Sequence, residues 1–117
     1  MIARVWHGWT SAQNADAYER HLRTTVFPGI HRVEGYTGAH LFRRQDGEEV
    51  EFVAITYFES MDAVQGFAGP DYGVAVISEE AGKLLSRYDQ RAEHYTVVLG
   101  PEVAPEKGWH HVLPAAL

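Results

Sequence analysis

The stretch "VEFVAITYF" at positions 50–58 decides the fold of this chain. β-branched and aromatic residues dominate it, which favours a β-strand. Successive side chains of a strand point to opposite faces of a sheet. Both sets are apolar here: Phe52, Ala54 and Phe58 point one way, and Val53, Ile55 and Tyr57 the other. Since neither set suits water, both faces of the predicted sheet must be covered.

Three further strands are predicted around this one. The four predicted strands are Ile2 to Trp9, Tyr36 to Arg44, Val50 to Glu59 and Arg91 to Leu99. The second and third are separated by a short polar segment that contains Asp46-Gly47, a turn signal. These two strands are therefore predicted to form a hairpin.

The first predicted helix follows the first strand. Thr10 has the position of an N-cap, and Gln13, three residues later, would complete a capping box. Pro28 and Gly29 are expected to end the helix. Its buried stripe is predicted from apolar residues at helical spacing: Ala15, Tyr18, Leu22 and Val26.

Two more helices are predicted between the third and fourth strands. Ser60 can cap one of them, and Gly69-Pro70 would terminate it. Ser78 can cap the other, which is expected to reach Tyr88 with Arg87 in its last turn. The apolar stripe of this helix consists of Ala81, Leu84, Leu85 and Tyr88.

The predicted order of elements is β-α-β-β-α(α)-β, which is the split βαβ or ferredoxin-like arrangement of an α+β protein. Its four-stranded antiparallel sheet would carry all the helices on one face. A second copy of the sheet is the economical cover for the other face, which predicts a two-fold homodimer. The alternative is a monomer whose C-terminal tail folds over the sheet, although a proline-rich tail covers little area.

The chain is predicted to divide into one domain, residues 1–99, and a C-terminal tail, residues 100–117. Three prolines make regular structure unfavourable in the tail: Pro101, Pro105 and Pro114. The tail is nevertheless expected to pack across its own or its partner's surface, because it contains the apolar residues Trp109, Val112 and Leu113.

Composition excludes several classes of function. The 117 residues suit one compact domain, and sixteen acids against ten bases give a net charge of -6. Because the bases are scattered, the basic patch expected of a nucleic-acid-binding protein is missing. The absence of cysteine excludes disulfides and thiolate metal sites. No N-terminal apolar run suits a signal peptide or membrane span, so a cytoplasmic protein with no membrane partner is expected.

Four segments carry a resemblance to a known family: "ARVWHG" at 3–8, "FRRQDGEEVEFVAITYFES" at 42–60, "AVQGFAGPDYGVAVISEEAGKLLSRYD" at 63–89 and "EHYTVV" at 93–98. They resemble an uncharacterised branch of the antibiotic-biosynthesis monooxygenase family, whose members are small dimeric α/β-barrel proteins. The resemblance implies this fold and a homodimer formed through the sheet face. It also implies three kinds of activity. A shared fold does not determine which of them a member has, because one fold hosts many functions.

The first two activities are the oxygenation of polyketide phenols to quinones without metal or flavin, and the binding and degradation of haem. The third group of members isomerises small lactones or has no known activity. Haem-degrading members pair an asparagine on the first strand with a tryptophan and a histidine in the later helical region. The only asparagine here is Asn14, and residues 60–88 contain neither tryptophan nor histidine. Haem degradation is therefore disfavoured, whereas haem binding through another histidine stays open.

A cofactor-independent oxygenase needs an apolar pocket and a base that takes a proton near neutral pH, a task that suits histidine. His7, His40 and His94 lie on predicted strands, where packing alone is the alternative role of each. Full overlap of the antiparallel first and last strands would set His7 opposite His94. Two close imidazoles in a partly apolar cleft resist being charged together, so one stays neutral as a base. His7 and His94 are thus the predicted catalytic residues.

The same register divides the side chains of these two strands between two faces. One face is expected under the helices, in a cleft roofed by Tyr18 and Leu22. This face would carry Ala3, Val5, His7, Trp9, Ala92, His94, Thr96 and Val98. The face expected at the dimer interface would carry Arg4, Trp6, Glu93 and Tyr95. A slip by one residue would reverse this pairing.

The predicted ligand is a phenolic or polycyclic aromatic compound. Its predicted binding residues are Trp9, Tyr18, His21, Leu22 and Thr96. No cofactor is predicted, and no metal-ligand spacing occurs in the body of the chain; the tail pair His110 and His111 would need a third ligand. The alternative function is a non-catalytic dimer that binds a small ligand or haem, in which the tryptophans and histidines fill the core.

Overall fold

The computed structural model describes residues 1–104. Its strands are β1 (Ile2–Ser11), β2 (Tyr36–Asp46), β3 (Glu49–Phe58), β4 (Leu85–Tyr88) and β5 (Glu93–Thr96). Its helices are α1 (Ala15–His21), α2 (Phe27–Ile30), α3 (Met61–Ala68) and α4 (Glu79–Leu84), with a π-helical stretch (Leu22–Val26) between α1 and α2. The predicted docking of Trp109, Val112 and Leu113 lies outside the described residues.

The strands form one antiparallel sheet in the order β2-β3-β1-β4, and β5 pairs with β1 as well. The predicted α+β, ferredoxin-like architecture is confirmed. The sequence predicts one strand beside β1 on the edge opposite β3, and two short strands, β4 and β5, lie there instead. No helix in residues 1–104 is long and apolar enough to cross a membrane.

The two apolar faces of β3 have different environments. On one face, Phe52 is fully buried and its ring meets the edge of the Tyr18 ring from α1, with 4.9 Å between centroids. This contact belongs to a core cluster made of Ala15, Tyr18, Leu22, Val50, Phe52 and Ala81. On the other face, Val53, Ile55 and Tyr57 are only half-buried, because the described helices pack against the first face. We call this second surface the open face of the sheet.

The start of the first helix differs from the prediction. β1 continues through Thr10, which pairs with Val50, and the helix begins only at Ala15. Thr10 is therefore not the N-cap, and its buried Oγ1 has no hydrogen-bond partner among the described residues. Ser11 instead provides a side-chain acceptor before the helix: its Oγ accepts a hydrogen bond from the Asn14 backbone N–H at 3.2 Å.

The first helix also runs past its predicted end to Ile30. In the π-helical stretch, the Phe27 N–H bonds to the Leu22 carbonyl, five residues earlier. Pro28 follows directly and occupies the first turn of α2, where a missing N–H is tolerated. The wider π-helical turn thus lets the chain pass Pro28 without a break.

The later helices begin as predicted. Ser60 Oγ accepts a hydrogen bond from Ala63 N at 3.2 Å, and Ser78 Oγ accepts one from Ala81 N at 3.1 Å. The helix after Ser78 ends at Leu84, however, and does not reach Tyr88. Residues 85–88 form β4 instead. β5 pairs only with residues 2–5 of β1, so the backbone groups of β1 near Gly8 need another partner, and β4 supplies it.

Gly35 offers a test of the packing between the helix α3 and the loop before β2. Its φ is +85°, and a Cβ built on it would lie 2.5 Å from the Ala63 Cβ. We expect Gly35→Ala to lower the free energy of unfolding by about 2 kcal/mol, measured by urea denaturation. Gly66→Ala is the matched control, since Gly66 lies in α3 with open space around it, and should raise stability by about 0.5–1 kcal/mol. Equal effects of the two substitutions would contradict the proposed strain.

Candidate functional site

The side chains that β1 and β3 direct toward the helices form one wall of a cleft of about 190 Å³. The opposite wall comes from the first helix, α3, and the loop before α4. The lining residues are Arg4, Trp6, Tyr18, Leu22, Val26, Phe27, Ile30, Ala54, Thr56, Phe67, Val76, Ile77, Ser78 and Ala81. Most of them are apolar or aromatic, so the cleft suits a small apolar or aromatic molecule.

Among residues 1–104, Arg4 is the only charged residue in this lining, and only 4% of it is exposed. Its Nη1 donates a hydrogen bond to the Tyr72 carbonyl, and its Nη2 donates one to the Val74 carbonyl at 2.9 Å. No carboxylate of the described chain forms an ion pair with it. Burial lowers the pKa of the guanidinium, although arginine keeps its charge at physiological pH. The cleft wall thus holds a buried cation that carbonyl dipoles solvate.

His94 lies directly opposite Arg4 in the sheet. Its Nε2 is 3.0 Å from Arg4 Nη1. Because a guanidinium can only donate, Nε2 must accept, and the imidazole is neutral with its proton on Nδ1. Burial, and then the positive charge of Arg4, lower the pKa of His94. The Tyr72 ring meets this imidazole at 5.3 Å between centroids.

The remaining polar groups of the cleft are neutral. Burial raises the pKa of Tyr18, which keeps its hydroxyl protonated. The indole of Trp6 donates its Nε1–H to the Asp89 carbonyl at 2.9 Å, so its ring is fixed beside the cleft. Among the described residues, Arg4 is therefore the one charged group that a ligand in this cleft would contact.

The predicted register between the first and last strands is wrong. His94 pairs with Arg4 instead of His7, which is three residues away. β4 occupies the edge of β1 from Gly8 to Thr10, so β5 pairs only with residues 2–5 of β1. A shift by an odd number exchanges the two faces of a strand. His7 and His94 consequently lie on opposite faces of the sheet, and the two imidazoles do not form a pair.

The predicted faces of β1 are exchanged, whereas His94, Glu93 and Tyr95 of β5 lie on the faces predicted for them. The side that faces the helices carries Arg4, Trp6 and His94. The open face carries the residues that were expected in the cleft: Ala3, Val5, His7 and Trp9.

His7 has a polar environment of its own on the open face. Its Nδ1 is 2.9 Å from Asp89 Oδ2, and its Nε2 is 4.0 Å from Glu51 Oε2. Glu51 is buried and forms an ion pair with Arg44, and Trp9 stacks beside the imidazole at 6.1 Å. No group of three or more side chains suited to metal binding occurs within the part of the chain that the structure describes.

Two of the five predicted ligand-binding residues, Tyr18 and Leu22, do line the cleft. Trp9 lies on the open face, where its indole N–H donates to Asp46. His21 lies at the protein surface near Ser78, with 3.4 Å between Nε2 and Oγ. Thr96 is exposed opposite Ile2 at the end of the sheet.

The sequence prediction places Arg4 and Trp6 on the wrong face of the sheet, and it does not single out Thr56 and Phe67, which also line the cleft. One signal for Arg4 was present, since it is the single charged residue in the run Ile2 to Trp6. A charge inside an apolar strand has to be solvated by other protein groups or a ligand.

Comparison with solved structures finds the same fold in several proteins. A heme-degrader, MhuD from Mycobacterium tuberculosis with two hemes bound in its active site, has 18% sequence identity and a TM-score of 0.60, covering 87% of this chain and 100% of that one. A protein assigned as an antibiotic biosynthesis monooxygenase from Bacillus cereus has 14% identity and a TM-score of 0.60, covering 87% and 97%. One so assigned from Nitrosomonas europaea has 9% identity and a TM-score of 0.61, covering 85% and 100%.

The sequence itself matches no family model, and no curated protein matches it. At these identities the structural comparison shows the fold. The fold expected from the resemblance to the antibiotic-biosynthesis monooxygenases is confirmed.

The contact of the half-buried His94 with Arg4 has a consequence for stability. Since the pKa of His94 is lower in the folded chain than the ordinary value of 6.5, the unfolded chain binds its proton first as the pH falls. Stability should therefore be unaffected by this group well above 6.5 and should decrease below it.

The measurement is thermal unfolding between about pH 7.5 and about pH 5.5. His94→Gln keeps an acceptor for Arg4 but cannot titrate, so its stability should fall less than that of the wild type. His31→Gln, which replaces an exposed histidine, should behave like the wild type. Identical pH profiles for wild type and His94→Gln would contradict the neutral state of His94 beside Arg4.

Proposed function

Given a fold that the antibiotic-biosynthesis monooxygenases share, we propose that this protein is a homodimeric, cofactor-independent oxygenase that acts on a small phenol. The reaction would take place in the cleft between the helices and the sheet. A volume of about 190 Å³ is below the roughly 300–1,000 Å³ of sites for drug-sized ligands. The cleft therefore favours a substrate of one or two rings over a polycyclic one.

The observation that carries this proposal is the contact between Arg4 and His94 at the wall of an aromatic-lined cleft. A neutral imidazole can take the phenolic proton, and an adjacent buried cation can stabilise the phenolate that results. The two groups are 3.0 Å apart. His94 is not among the described residues that line the cleft, so in this proposal the phenol bound at Arg4 reaches Nε2 by displacing its hydrogen bond from Arg4. His7 has no part in this proposal, because it lies on the opposite face.

The reaction balances with dioxygen as its only co-reactant. The phenol proton passes to His94 Nε2, which releases its hydrogen bond from Arg4, and the electron pair of the O–H bond stays on the phenolate. The ring carbon para to that oxygen then bonds to dioxygen, and the product takes a proton as a hydroperoxide. Loss of the remaining ring proton breaks the O–O bond and releases water. One phenol and one dioxygen thus give one quinone and one water.

Haem binding, the other candidate, fits the described residues poorly. The described residues that line the cleft include no histidine, cysteine or methionine that could ligate iron. Tyr18 is the one tyrosine among them, and burial raises its pKa, which disfavours the phenolate that would bind iron. The cleft is also small for a porphyrin, since a macrocycle of that size needs a site well above 190 Å³. We therefore derive no step through haem.

The test measures oxygen uptake by the purified protein with a panel of one-ring and two-ring phenols, and quinone formation by absorbance. His94→Gln is expected to slow turnover by about 100-fold or more, because a positioned base contributes at least that factor. His7→Gln, checked for an unchanged oligomeric state, should keep full turnover. No uptake with any phenol, or loss of turnover in His7→Gln alone, would refute the assignment. Ligand binding without oxygen uptake would instead support the non-catalytic alternative.

The open face supports the homodimer. Phe42 and Tyr95 remain 52% and 54% exposed on it, and Val53 and Ile55 lie between them. A trough of about 700 Å³ on this face has a mainly apolar lining, which includes Ala3, Val5, Ile55, Tyr57 and Tyr95. Exposed apolar surface of this kind is characteristic of an interface. A second copy of the same sheet would cover it with two-fold symmetry.

Ile55→Arg tests this interface, because it places a charge near the middle of the open face. We expect the wild type to sediment as a dimer and the variant as a folded monomer, since burying two unpaired charges at one interface is costly. Glu48→Arg, at the exposed hairpin turn, is the control and should remain dimeric. A monomeric wild type at micromolar concentration would rule out the dimer.

A further inference from the structure

Arg4 has hydrogen-bonding capacity that the protein leaves unused. A guanidinium carries five N–H donors. Three of them have partners among residues 1–104: the Tyr72 carbonyl, the Val74 carbonyl and His94 Nε2. The other two have no partner in the described part of the chain. Since Arg4 is buried and also lines the cleft, these donors are available to a ligand there.

The charge of Arg4 is likewise unneutralised. Each of its three protein partners is electrically neutral, and the described lining of the cleft contains no aspartate or glutamate. The ring of Phe67 covers the guanidinium at 5.5 Å from its centroid, which keeps water away from one face. In such surroundings the attraction between the cation and an anion is much stronger than in water.

We propose that Arg4 forms an oxyanion subsite, and that the ligand of the cleft binds as an anion whose charged oxygen is attached to or next to an aromatic ring. The subsite rests on the same cleft as the proposed oxygenase, and it names the class of ligand. A phenolate and an aromatic carboxylate share this chemistry, because both present planar oxygen acceptors to a planar donor.

The two kinds of ligand differ in their reactivity once they are bound. A phenolate has an electron-rich ring that can react with dioxygen. A benzoate without a hydroxyl group keeps its charge on the carboxylate and offers no such ring. Aromatic carboxylates would therefore occupy the subsite as unreactive competitors of a phenol.

The first experiment compares benzoate with benzamide, its neutral analogue of the same shape, by calorimetric titration of the wild-type protein. Benzoate is expected to bind about tenfold to 100-fold more tightly, as charged hydrogen bonds outweigh neutral ones. The second follows the visible absorbance of 4-nitrophenol. A nearby cation should lower the pKa of the bound phenol by about one to three units.

These two measurements distinguish the sources of the anion. A preference for benzoate alone assigns the subsite to carboxylates, and a lowered pKa of 4-nitrophenol alone assigns it to phenolates. Equal binding of benzoate and benzamide, together with an unshifted or raised pKa of 4-nitrophenol, overturns the proposal.

Two variants link the effect to Arg4. Arg4→Met keeps the length of the side chain and removes the charge, so benzoate should bind about tenfold to 100-fold more weakly while benzamide binding is unchanged. Arg20→Met removes one exposed positive charge on the first helix and should change neither. If Arg4→Met fails to fold, Arg4→Lys retains the charge and should keep part of the preference for benzoate. Full preference for benzoate in folded Arg4→Met would overturn the proposal.

These assays need no turnover, so they separate the subsite from the oxygenase. Anion binding through Arg4 without oxygen uptake would leave the subsite intact and refute the oxygenase. Oxygen uptake that Arg4→Met retains in full, with no preference for anions, would refute the subsite and the stabilisation of the phenolate by Arg4. It would leave an oxygenase that depends on His94 alone.

Discussion

The position of β5 along β1 is the constraint on which the rest of the site depends. The ten residues of β1 present one edge to two short strands, β4 near one end and β5 near the other. The bend between them is fixed to β1 at Asp89, whose N–H donates to the His7 carbonyl at 2.9 Å and whose carbonyl accepts from the Trp6 indole. With the bend held there, β5 can pair only with the first residues of β1. This register places His94 on Arg4.

As a consequence, the two faces of the sheet differ in whether their charged side chains are paired. Toward the helices, one cation lies among apolar rings without an acid partner in the described chain, so an anionic ligand would complete its environment. On the open face, His7 lies between the carboxylates of Asp89 and Glu51, and Arg44 pairs with the second. These four polar side chains thus pair with one another. Complementarity toward a small molecule is concentrated on the helix side.

Much of the architecture could be predicted from local sequence signals. The hairpin follows from Asp46-Gly47 between two apolar runs, and the starts of α3 and α4 follow from Ser60 and Ser78, because each signal acts over a few residues. The end of α4 could not be predicted in this way. Leu84 and Leu85 fit a helical stripe. Leu85 nevertheless lies in a strand, because the edge of β1 needs backbone hydrogen-bond partners. This cause lies in a distant part of the chain, so local signals do not reveal it.

The candidate site was predicted only in part for the same reason. Tyr18 and Leu22 were found because helical periodicity identifies the buried side of a helix. Assigning His7 or Arg4 to the cleft instead required the register of a four-residue strand, where one odd shift exchanges the faces. Full overlap of the two strands was the simplest assumption. The pairing of β4 with the Gly8 end of β1 removes that overlap, and the bend at Asp89 that follows β4 has no strong local signal.

The hydrogen bonds of Arg4 also affect how the molecule reaches its native state. They join positions that are 68, 70 and 90 residues apart in the chain. Contacts of such sequence separation form late and require the intervening chain to be ordered first. The wall of the cleft therefore cannot exist in an isolated hairpin or in a partly synthesised chain. The protein can bind a ligand in the cleft only after β1 has contacted the segments that contain Tyr72, Val74 and His94.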